Sequence, residues 1–70
     1  MLLVTDQEGT NQYMILNYHI KENEENGFKF FSIIGYDKHS DQIVTLGIYN
    51  FYRQAIETFA QMDYKENDLM

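Results

Sequence analysis

Residues 42–62 read QIVTLGIYNFYRQAIETFAQM, and the period of their apolar positions changes partway along. From Gln42 to Tyr49 the alternation is every second residue: Val44, Leu46 and Ile48 share one side, and Ile43, Thr45, Gly47 and Tyr49 the other. That is the period of a strand. From Phe51 onward apolar residues fall at 51, 52, 55, 56, 59 and 62, one arc centred near Phe59. That is the period of an amphipathic helix. Asn50, between the two, has a side chain suited to capping a helix start, although Arg53 stands where a capping box would place Glu or Gln. The stretch predicts a strand followed at once by a helix over residues 51–64.

The upstream chain is all strand and turn. Residues 12–21 alternate, with Met14, Leu16, Tyr18 and Ile20 on one face and Tyr13, Ile15, Asn17, His19 and Lys21 on the other. Asn26-Gly27 is a hairpin signal, because both residue types accept positive φ. Residues 28–36 are aromatic and β-branched and apolar on both faces, as a central strand is. Asp37 to Asp41 form a second turn, and Leu2-Leu3-Val4 a short edge strand joined through a hairpin loop, Asp6 to Asn11, that bends at Gly9. The expected fold class is α+β: an antiparallel β-meander of three to four strands with one C-terminal amphipathic helix packed on one face. Residues 1–65 are expected to form a single domain and residues 66–70 a flexible acidic tail.

A 70-residue chain leaves room for one core, and so small a core is marginal by itself. The absence of cysteine removes disulfides and thiolate metal sites. Two histidines, His19 and His39, are too few for a closed zinc site. Association with a partner or a second copy is the remaining source of extra stability. The opening Met-Leu-Leu-Val-Thr lacks the basic region and length of a signal peptide, and no apolar run approaches a membrane span. A cytoplasmic protein with no membrane partner is expected. Eleven acids against five bases give a net charge of -6. This disfavours direct nucleic-acid binding and favours a protein partner with a basic surface.

One helix covers one sheet face. The alternation assigns Met14, Leu16, Tyr18, Ile20, Phe28, Phe30, Ile34, Val44, Leu46 and Ile48 to the helix side. The other face then carries Tyr13, Ile15, Phe31, Ile33, Ile43 and Tyr49, more apolar surface than a solvated sheet face shows, and these six are the expected partner-binding residues. A bulge at Ser32 or Gly35 would invert the assignment for residues 28–36, and a curled sheet roofed by the chain's own ends would remove the open face. The meander also gathers acids at one end of the sheet: Asp6, Glu8, Asp37, Asp41 and Asp63, with Glu66 and Asp68, seven acids against Lys38 and Lys65. Such a one-ended field would steer the domain toward a basic groove.

Chemical motifs are sparse, and no catalytic, cofactor-binding or metal-binding residue is expected. Asp37-x-His39-x-Asp41 lacks the glycine and distal glutamate of a calcium loop and reads as a turn. Ser32 and Ser40 are the only serines, neither in a nucleophile motif, and there is no glycine-rich phosphate loop. Glu24 and Glu25 lie on a polar turn where nothing raises a carboxyl pKa. The expectation is a protein that is not an enzyme.

The size, the excess of Asp and Glu, the β-meander and the single helix over residues 12–64 resemble the small acidic inhibitors of phages and mobile elements, anti-CRISPR proteins among them. That resemblance implies a non-enzymatic inhibitor, a nucleic-acid mimic whose acidic end enters the basic channel of a nucleic-acid-handling enzyme such as a CRISPR effector, in the cytoplasm of a bacterial host. The order strand, acidic turn, strand, strand, helix also resembles HicB-type antitoxins, although Gly47 and Ala55 stand further apart than in that family. It implies a structural or regulatory homodimer joined through the open sheet face.

Overall fold

The computed structural model describes the backbone of residues 2–68 and the side chains as far as Lys65. Four strands, β1 (Leu2–Thr5), β2 (Gln12–Glu25), β3 (Phe28–Asp37) and β4 (Gln42–Tyr49), precede one helix, α1 (Tyr52–Asp68). The strands form one antiparallel sheet in the order β1-β2-β3-β4. The expected α+β meander with its C-terminal helix is therefore the fold. The helix runs past residue 64 to Asp68, so three of the residues expected in the tail are helical. The other two, 69 and 70, lie outside the described residues.

Local chemistry fixes the turns. Asn26 and Gly27 have φ of 53° and 82°, the two positive values of a two-residue hairpin turn. Glu25 and Phe28 close that hairpin as a pair. At the opposite end, Asp6 organises the β1–β2 loop. Its carboxylate accepts from the Thr10 amide at 2.9 Å and from the Asn11 side-chain amide at 3.3 Å.

Two irregularities set which side chains face the helix. Ile15 pairs with Asp37 and Tyr18 with Gly35, so β2 takes three steps where β3 takes two. Ile33 pairs with Gly47 and Ile34 with Thr45, so Leu46 is an extra residue in β4. Each is a β-bulge, and each shifts the strand's alternation by one residue. The buried core is Leu2, Ile15, Ile33, Leu46, Ala55 and Met62, and Val4, Tyr13, Tyr18, Ile20, Val44, Tyr49 and Phe59 pack around it. On the helix, Ala55 and Met62 are buried and Phe59 is half-buried against the ring of Tyr18, with centroids 5.2 Å apart. Phe51, Tyr52 and Ile56, expected within the buried arc, are 67%, 53% and 38% exposed. The helix seats on a narrower stripe than its composition allows.

The sheet curls around α1, which touches all four strands. Across the seam, the Gln7 amide donates to the Leu46 carbonyl at 2.9 Å and the Ile48 amide donates to Gln7 Oε1 at 2.8 Å. One glutamine thus bridges the β1–β2 loop to the edge of β4. Its side-chain oxygen substitutes for the backbone carbonyl of a neighbouring strand. The helix fills the concave side, and among the described residues no element covers the convex side.

Candidate docking face

The placement of the six expected partner-binding residues is corrected for all but one. Ile15 is 0% and Ile33 1% exposed, both under the helix in the centre of the core. Tyr13 and Tyr49 pack against that core from the same side. Phe31 is half-buried edge-on to Tyr52, with centroids 5.4 Å apart. Only Ile43 lies on the outer face, and it is 74% exposed. The cause is the pair of bulges. Counting every second residue through them carries β2 and β4 out of phase, and β3, apolar on both sides, has no polar face to correct it.

Of the residues expected on the helix side, Tyr18, Ile20, Val44 and Leu46 are there, whereas Phe28, Phe30, Ile34 and Ile48 lie on the outer face beside Ile43. Directly paired residues share a face, so the rows there are Tyr36–Ile43, His19–Ile34–Thr45, Lys21–Ser32–Ile48, Asn23–Phe30 and Glu25–Phe28. The β3 and β4 columns are mostly apolar and the β2 column is polar. Phe28, Ile43 and Ile48 are 77%, 74% and 55% exposed. Ser32, inside this surface, is buried and accepts from Asn23 Nδ2 at 3.1 Å. Gly35 lets the strands close up. A Cβ there would stand 2.9 Å from Ile15 Cγ2 and 3.0 Å from the Asn17 carbonyl oxygen. Beside it lies a shallow dip of about 140 Å³ lined by Asn17, His19, Ile34, Gly35, Tyr36 and Ile43.

Acidic groups border this face. The turns holding Asp6, Glu8, Asp37 and Asp41 lie at one end of the sheet, as the meander requires. Asp6 and Glu8 share a depression with Thr45 and Ile48. Asp41, with φ of 58°, accepts from the Tyr36 hydroxyl. That bond, helped by burial and by the Asp41 and Asp37 charges, raises the Tyr36 pKa above the usual phenol value. Asp63, on α1, accepts from the Tyr18 hydroxyl at 3.3 Å.

Asp37 has a different role. It is 3% exposed, and its carboxylate accepts from the Met14 amide at 2.9 Å, the His39 amide at 3.3 Å, and the Ser40 amide and hydroxyl at 3.2 and 2.7 Å. The Ser40 hydroxyl and these amides hold its pKa below the ordinary carboxylate value against the opposing effect of burial. The Thr10, Asn11 and Gly9 amides do the same for Asp6, Thr10 most. Both acids stay ionised, yet their oxygens serve the chain's own turns. Among the described residues no three His, Asp or Glu side chains gather to hold a metal ion. A cleft of about 270 Å³ opens at the seam between β1, β4 and α1, over Leu2, Leu46 and Met62. Among the described residues no helix is long and apolar enough to cross a membrane.

The fold and this face define a class: a one-sided α+β meander with an apolar outer sheet face and an acidic border. A comparison with known protein families, curated proteins and solved structures found no match.

Proposed function

We propose that this protein is a non-enzymatic binding module that docks on a protein partner with a basic surface through the outer face of β3 and β4. The carrying observation is the exposure of Phe28, Ile43 and Ile48, 77%, 74% and 55%, on one side of the sheet. Phe30, Ile34 and Tyr36 lie between them on the same face, and an apolar surface of that kind marks an interaction site. The net charge of -6 and the border of Asp6, Glu8 and Asp41 select a cationic partner by field and by pairing. A second copy suits the face less well, because it would bring the same acids against themselves. A nucleic-acid-handling enzyme, whose working surface is basic, fits this description, and a cysteine-free chain is suited to a reducing cytoplasm. A nucleic-acid mimic would point its carboxylates outward. Asp37 buries its carboxylate and Asp6 spends part of its own on the Thr10 and Asn11 amides, so the reading rests on the apolar face and the acids serve as its border.

The test is affinity capture from the producing cell with the native chain and with an Ile43→Asn/Ile48→Asn variant. Both positions are exposed, so the variant should melt at the native temperature. The expected result is a partner held by the native chain, released by moderate salt and absent from the variant. A partner held equally by both chains, or self-association of the native chain at micromolar concentration that the variant abolishes, would sink the reading.

A further inference from the structure

Resting on that docking face, we propose that its occupant is an amphipathic α-helix of the partner, laid along β3, with Lys or Arg on the flank that overhangs β4. The face has the proportions for it. Phe28, Phe30, Ser32, Ile34 and Tyr36 form one column along β3. At a rise of about 3.3 Å per residue the column is roughly 26 Å long. A helix of about 18 residues covers that length. The exposed side chains of Ile43 and Ile48 widen the strip by one strand, toward the width of a helix's apolar stripe.

An extended peptide suits this site less. Strand addition needs a free sheet edge, and Gln7 already occupies the β4 edge at Leu46 and Ile48. What β3 and β4 offer is a surface of side chains, which a helix reads through its own.

Charge fixes the orientation. Asp6, Glu8 and Asp41 lie along the β4 side and the turn end. Across the strip, β2 presents His19 and Lys21. The acid of the β2 column, Glu25, lies beside Phe28 at the hairpin end, so along the stretch from Ser32 to Tyr36 cations on the bound helix belong over β4 and the basic residues there should be one-sided. The dip beside Gly35, lined by Ile34, Tyr36 and Ile43 among others, is sized for a single large aliphatic or aromatic anchor.

The experiment uses three synthetic peptides of about 18 residues that share one leucine stripe. One carries Lys on a flank, one carries Glu there, and the third is a scramble of the Lys peptide. Binding to the full chain is followed by residue-resolved NMR. The Lys peptide should saturate and shift Ile34, Gly35, Tyr36, Ile43 and Ile48. Affinity should fall about tenfold for the scramble, for the Glu peptide and for Ile43→Asn. It should also weaken severalfold from about 50 to about 500 mM salt. Equal binding of the scramble, shifts centred on Tyr64 of α1, or no saturable binding would overturn the proposal. If no peptide binds while capture of the cellular partner still depends on Ile43 and Ile48, the helix is wrong and the docking face stands. If capture ignores those residues, the face itself is wrong.

Discussion

At the scale of single residues, Asp37 and Gly35 fix how β3 meets the bulged stretch of β2. Asp37 ties the β3–β4 turn to the start of β2 through Met14 and Ser40. Its folded pKa lies below the unfolded one, so unfolding in acid takes up a proton. The stability it contributes is whole above the unfolded value, about pH 4, and fades as pH falls through the depressed folded value. Thermal melts across the acid range should show Asp37→Asn well below the native chain at neutral pH, with the gap closing in strong acid. A gap independent of pH would mean the carboxylate's charge is irrelevant. Gly35→Ala places a methyl group against the Ile15 side chain and the Asn17 carbonyl oxygen, and such overpacking costs about 1–3 kcal/mol. Ile15→Ala, at the fully buried centre, should cost about 2–5 kcal/mol in chemical denaturation. The exposed Phe28→Ser should stay within about 0.5 kcal/mol of native.

At the scale of elements, most of the architecture was legible. The Asn26-Gly27 turn, the central position of residues 28–36 and the change of period at Asn50 each have one physical reading, and the structure has all three. The facing of the strands was not legible. A bulge inserts one residue without any required composition, and strict alternation has no means of skipping it. One faint signal existed in β2: Tyr13 and Ile15, then Tyr18 and Ile20, form a consistent apolar face, with Asn17, His19 and Lys21 opposite, once a residue is passed over at Leu16. Strand length carries a further consequence. β1 pairs β2 only from Gln12 to Ile15, and β4 pairs β3 only from Phe31 to Asp37. The far end of the β2–β3 hairpin is therefore a two-stranded ribbon, and such ribbons are weak alone. Amides from Asn23 to Phe30 should exchange with solvent much faster than those of Ile33 and Ile34 in native-state hydrogen exchange. Uniform protection along β3 would show that the ribbon is held by contacts beyond its own pairing.

At the scale of the whole molecule, charge acts in opposite directions on folding and on binding. A net -6 on a chain with a radius of gyration of 12.2 Å repels itself. Salt should raise the melting temperature of the free protein while it weakens the complex with a cationic partner. Calorimetry of the two under one salt series would separate these effects, and a melting point that falls with salt would mean attractive pairs dominate the surface. The two ion pairs among the described residues, Lys29–Glu22 and Arg53–Glu57, are solvent-exposed, with Arg53 88% exposed, and exposed pairs contribute little. The Gln7 clasp bears on a different hazard. A bare strand rim is a template on which identical molecules can polymerise. A single amide side chain thus works as a stopper at one end of a would-be fibre. Trimming it to alanine should leave the fold recognisable and convert a well-behaved solution into one that slowly gels.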